Sequence, residues 1–229
     1  NRFKKGCDRY LPWVLGKDPN AEDMPLWVVP DRKLSVHDVE MAMREHYENT
    51  PMALDSANIG GGVYQMPYRP TPLSFKVDGK TYFNERPIST QQTAFTFVSQ
   101  LRSWLPREIG GITWFGNDDA NMVAYTPVYC SNTVVPECYN TPGADAVTFS
   151  DKNAFWVCNW VSNMVYPRYS QLFPELQAVR DSLEADYFAR QGEVEKHALE
   201  LYGSDKAAAV AYLNAYSNDK AQQMLAHWR

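Results

Sequence analysis

The stretch "GGITWFGNDDANMVAYTPVY", Gly110 to Tyr129, carries two apolar arms, Ile112–Phe115 and Met122–Tyr129, around Asn117, Asp118, Asp119 and Asn121. Aromatic and β-branched arms joined by turn-forming side chains spell an antiparallel hairpin. The same period of two runs upstream. In "TAFTFVSQLRSWL" (93–105), Phe95, Phe97 and Leu101 alternate with polar partners, as in a strand. In "LSFKVDGKTYF" (73–83), Asp78-Gly79 supplies the positive φ angles of a tight two-residue turn and predicts another hairpin. Residues 73–149 are therefore expected to form antiparallel strands.

Outside that region the period changes. Upstream, Pro12, Pro19, Pro25 and Pro30 forbid a long helix in the first thirty residues. "LSVHDVEMAMREHYEN" then predicts a helix from about Ser35 to Tyr47. Ser35 is its N-cap, Asp38 closes a capping box, and Val36, Val39 and Met43 form its buried stripe. "NIGGGVYQMPYRPTP" (58–72) reads as a loop. Its glycines lack the Lys-Ser/Thr and following helix of a phosphate-binding loop. After Ser150 the pattern is helical: Phe155, Trp156, Trp160 and Met164 mark one stripe, broken near Pro167 and Pro174. A long amphipathic stretch follows to about Tyr202, with Ser204-Asp205 and Ser217-Asn218 as fresh N-caps. Strands in one block and helices in the next indicate an α+β fold, read as a single domain over residues 1–229.

Composition narrows the function. Aromatic residues make up 14%, with seven Trp and fourteen Tyr, which suits a sheet-based core or a ring-lined cleft. A net charge of −5 without a basic face argues against a nucleic-acid partner. No apolar run approaches the ~20 residues of a membrane span. The four histidines and four cysteines show no metal-ligand spacing, so neither metal nor cofactor is expected. The chain opens without Met and closes inside a helical pattern. The expectation is a piece of a longer protein with an upstream part missing, exported in preference to cytoplasmic, and of unassigned oligomeric state.

Cys130, Cys138 and Cys158 have no neighbouring histidine and read as buried structural residues. Cys130 and Cys138 flank a short Pro136-containing segment, and in an exported protein a disulfide between them is expected. Cys7, among cations in "FKKGCDR", is an exposed thiol or, if the first six residues were removed, a nucleophile. Asp118 and Asp119 suit a substrate ammonium group or simply the turn. Trp114 suits stacking on a substrate or core packing.

"NERPISTQQTAFTFVSQLRSWLPREIGGITWFGNDDA" (84–120) resembles the dipeptidase A family, cysteine peptidases of the N-terminal-nucleophile (Ntn) hydrolase superfamily. The likeness continues through "VAYTPVYCSNTVVPECY", "NAFWVCNWVSNMVYPRYS" and, upstream, "MPLWVVPDRKLSVHDV" and "QMPYRPTP". The resemblance implies an αββα sandwich of stacked antiparallel sheets between helix layers. It also implies hydrolysis of dipeptides by an amino-terminal cysteine whose own α-amino group is the base. Asn1 cannot play that part, so the nucleophile is expected upstream and the 229 residues alone are expected to be inactive. The family's strand arginine, which supports thiolate or oxyanion charge, matches Arg86; pairing of Arg86 with Glu85 is the structural alternative. The competing function is a non-catalytic peptide- or glycan-binding module.

Overall fold

The computed structural model describes residues 9–16, 18–50, 53–55, 61–69, 74–83 and 86–229. Cys7, Glu85 and part of the glycine loop lie outside the described residues. The described residues fall into two compact units, 1–42 and 43–229.

In the first unit, helix α1 (Leu11–Val14) accepts Pro12 in its opening turn, where no backbone N–H is needed. Helix α2 (Val36–Met43) begins on the predicted capping box: Asp38 N donates to Ser35 Oγ at 3.1 Å, and Ser35 N donates to the Asp38 carboxylate at 2.9 Å. Arg32 also donates to that carboxylate, and these bonds hold Asp38 well below its ordinary pKa. The helix stops at Met43 rather than near Tyr47. Tyr47 and Asn49 adopt φ of 64° and 58°, and Arg44 turns into the interior of the second unit. Long-range bonds made by Arg44 outweigh the local helical pattern.

The second unit carries two separate antiparallel sheets. One is the hairpin β1 (Ser74–Val77) and β2 (Lys80–Phe83), turned by Asp78 and Gly79 at φ 49° and 78°. The other is the ordered run β3 (Phe95–Leu101), β4 (Gly111–Asn117) and β5 (Thr126–Tyr129), with a short helix α3 (Arg107–Gly110) between β3 and β4. Its register sets Val98 beside Trp114 beside Pro127, and Gln100 beside Ile112 beside Tyr129. That face is buried. The opposite face carries Phe95 at 55%, Phe97 at 52% and Leu101 at 76% exposure, with Phe115 stacked 6.2 Å from Phe95. The alternation in β3 was legible; its apolar side is the one turned outward.

Three helices cover the buried face: α4 (Ala154–Val165), α5 (Tyr169–Ser204) and α6 (Lys206–Trp228). The architecture is α+β. In α4 the buried positions are Ala154, Val157, Cys158, Ser162 and Val165. The large stripe of Phe155, Trp160 and Met164 faces outward instead, because the small residues allow the closer approach to the sheet. A 3-10 turn at Tyr166–Arg168 accommodates Pro167, whereas Pro174 sits near the start of α5 without ending it. Asp205 caps α6, accepting from Ala207 N and Ala208 N at 2.9 and 3.1 Å. Ser217 and Asn218 lie mid-helix, not at a cap. They accept other amides, Tyr129 N at 3.2 Å and Glu137 N at 3.0 Å. Those anchors, with Asn214 on Thr133 N, hold the segment after β5. The expected disulfide is absent: Cys130 is exposed, Cys138 is buried, and both are free. Burial pushes the Cys138 thiol up to about 12.

Among the described residues no helix is long and apolar enough to cross a membrane.

Candidate functional site

The connection from β4 to β5 carries Asp118 and Asp119, expected either to meet a substrate ammonium group or simply to form the turn. It is among the most deeply buried parts of the chain: every residue from Asp118 to Tyr125 is buried. Buried irregular backbone must find hydrogen-bond partners outside regular ladders. Two arginines supply them. Arg44 donates from Nε to Ala120 O at 2.8 Å and from Nη2 to Val123 O at 3.1 Å, while Nη1 reaches Glu184 Oε2 at 2.9 Å. Glu184 in turn accepts from Tyr125 N at 2.8 Å. Arg180 donates to Asn121 O at 2.7 Å and to Asn121 Oδ1 at 3.0 Å. Gly116 is required beside this loop, since a Cβ there would meet Val123 Cγ2 at 2.6 Å.

Within this frame the two predicted acids differ sharply. Asp119 is wholly buried and accepts hydrogen bonds from Ser89 Oγ and Tyr166 Oη. Asp118 is 1% exposed, has φ 79°, and accepts its own neighbour's amide, Asp119 N, at 2.6 Å. Burial raises its pKa to about 6, partly offset by hydrogen bonding from Asp119 N and from Asn159, with the Asp119 charge adding to the rise. Tyr68 lies edge-on to Tyr166 at 4.5 Å, and Tyr166 stacks on Tyr169 at 5.9 Å. Burial beside both carboxylates raises the Tyr68 hydroxyl well above its ordinary value.

An acid whose pKa is higher folded than unfolded binds its proton more tightly in the fold. Ionisation of Asp118 therefore weakens the structure. Its unfavourable contribution is absent below its ordinary value of 3.8, grows as pH rises, and is complete above about 6. The difference corresponds to roughly 2–3 kcal/mol. Asp118→Asn keeps the acceptor for Asp119 N and tolerates a left-handed backbone. It is expected to raise Tm at pH 7 by roughly 4–12 °C and to lose that advantage near pH 4. Melting curves across this pH range check it; a pH-independent difference would refute the assignment.

Arg86 is exposed, and its carbonyl accepts from Tyr47 Oη at 3.4 Å. Among the described residues it forms no ion pair. Three positions on, Ser89 joins it to the acids. Trp114 stands apart, buried on the helix side of β4, with its indole N–H on Gln100 Oε1 at 3.2 Å and its ring 4.6 Å from Phe188. Ser89, Arg44, Glu184, Arg180 and Tyr166 complete the site but were not singled out from the sequence. Only Ser89 carried a local signal, as part of the hydroxyl-rich run after Pro87.

The chemistry available is an exposed cation, Arg86, three residues from a serine bonded to Asp119, and two buried carboxylates, one of them with its pKa raised to about 6. Comparison with known proteins gives that arrangement a context. The model of peptidase family C69 matches residues 5–182. A probable dipeptidase of Latilactobacillus sakei is 24% identical over 220 residues, covering 94% of this chain and 40% of the relative. Dipeptidase A of Lactobacillus helveticus is 25% identical over 200 residues, 86% of this chain and 37% of the relative. A probable dipeptidase B of Streptococcus pyogenes serotype M1 is 24% identical over 212 residues, 92% of this chain and 39% of the relative. The chain thus spans about two fifths of the length of these curated relatives. With more than three quarters of its residues under the family model, the chain belongs to peptidase family C69.

Proposed function

We propose that these 229 residues are the later part of a cysteine dipeptidase of the Ntn type, with the nucleophile at an amino terminus outside them. The observation that carries the reading is the one-sided sheet. Helices bury one face of β3–β4–β5, while the other presents Phe95, Phe97 and Leu101 to solvent. Half of an αββα sandwich has that form, and the dipeptidase names of the relatives agree with it. In this mechanism the α-amino group, whose pKa lies near pH 7.7–8.0, takes the proton of its own thiol. Arg86 stabilises the oxyanion, and the buried carboxylates of Asp118 and Asp119 contribute a negative field that favours the ammonium group of a dipeptide.

The test compares the isolated chain with the complete protein against a panel of dipeptides. The complete protein is expected to turn them over, and to stop when its amino-terminal Cys is replaced by Ala; the isolated chain is expected to be inactive. Turnover by the isolated chain would overturn the proposal. A non-catalytic peptide- or glycan-binding module is favoured by one feature, the exposed rings of Phe149 and Trp160, 4.9 Å apart. Binding without turnover by the complete protein would select it.

A further inference from the structure

We propose that Ser89 is the positioning residue for Arg86, an inference that rests on the catalytic reading of Arg86. Ser89 is 1% exposed, although Arg86 and Ile88 on the same short segment are exposed. Its backbone N–H donates to Glu45 O at 3.3 Å, its Oγ donates to Asp119, and that Oγ accepts from Asn121 N at 3.2 Å. Each partner is itself held. Tyr166 shares Asp119, while Arg180 and Tyr169 bind Asn121. Downstream, Ala94 O accepts from Asp118 N at 2.9 Å, so the segment is tied again where β3 begins.

Between this anchor and the exposed cation stand only two residues. One is Pro87, whose ring fixes φ near −65°. A charged side chain is thus carried on a short, stiffened arm with a buried pivot. On its other side the Arg86 carbonyl is steadied by Tyr47 Oη. Without the pivot the backbone that carries Arg86 loses its fixed position, and preorganisation of a donor toward developing charge is what such a site needs.

A buried serine of purely structural value would lower stability without altering the chemistry of the molecules that remain folded. The two cases separate in a double-mutant cycle in the complete enzyme, with kcat, KM and the folded fraction measured for each variant. Ser89→Ala is expected to lower kcat about 10-fold or more with KM little changed, and to have no further effect in an Arg86→Ala background. Tyr47→Phe, which removes the hydroxyl that donates to the Arg86 carbonyl, is expected to lower kcat about 2–5-fold with the same non-additivity, and serves if Ser89→Ala does not fold. Equal losses in both backgrounds, or an unchanged kcat per folded molecule, would overturn the proposal. An Arg86→Ala enzyme with normal kinetics would instead overturn the catalytic reading on which it rests.

Discussion

Arg44→Ala is expected to cost about 3–5 kcal/mol of stability, the range seen when one partner of a buried ion pair is removed. Three losses combine. Glu184 is left as an uncompensated charge at 2% side-chain exposure, and the carbonyls of Ala120 and Val123 lose their donor. The ring of Tyr125, 4.9 Å from the guanidinium, loses its cation. Typical domains have only about 5–15 kcal/mol in total, so the variant should populate unfolded chain at ambient temperature. Arg44→Lys keeps the charge, but a single ammonium cannot reproduce a planar fork directed at three acceptors, so most of the loss should persist. Urea denaturation of the three proteins decides the matter. A loss below about 1 kcal/mol for alanine would mean that the loop from Asp118 to Tyr125 is held by packing alone.

The second large effect concerns chemistry. On the proposed dipeptidase mechanism, Arg86→Ala in the complete protein is expected to lower kcat by about 10²–10³, the usual consequence of removing one oxyanion donor. Arg86→Lys, which retains the charge, should recover part of it. Because oxyanion charge develops only in the transition state, the loss should fall on kcat. A loss confined to KM would place Arg86 on the substrate carboxylate instead. Normal values for both constants in a folded Arg86→Ala enzyme would return Arg86 to a structural role.

Local chemistry was readable without coordinates. The Ser35–Asp38 capping box, the Asp78-Gly79 turn and the Asp205 cap each depend on residues within three positions of one another, and each is present. What escaped depends on partners far along the chain. Tyr47 falls outside α2 because Arg44 reaches residues 76 and 140 positions away. Ser217 has the chemistry of a cap but serves an amide 88 positions distant. For α4, Trp160 and Met164 marked a helical stripe without saying which way it faces, and the sheet selects the face that permits close approach.

The candidate site was legible to the same extent. Asp118 and Asp119 were visible as a pair, but hydroxyls 30 and 47 positions from Asp119 determine that they are buried. Arg86 stood out by its charge and its proline. Its anchor, Ser89, shows its meaning only once Asp119 and Asn121 close around it.

The burial of the β4–β5 connection also bears on how the protein tolerates engineering. Among the connections between neighbouring strands, the Asp78-Gly79 turn lies at the surface and should accept an inserted epitope or a protease recognition site with little effect. The same insertion between Asp118 and Tyr125 would have to displace Arg44, Arg180 and Glu184 together. Irregular backbone is usually where evolution adds and deletes residues; in this stretch, length itself is constrained.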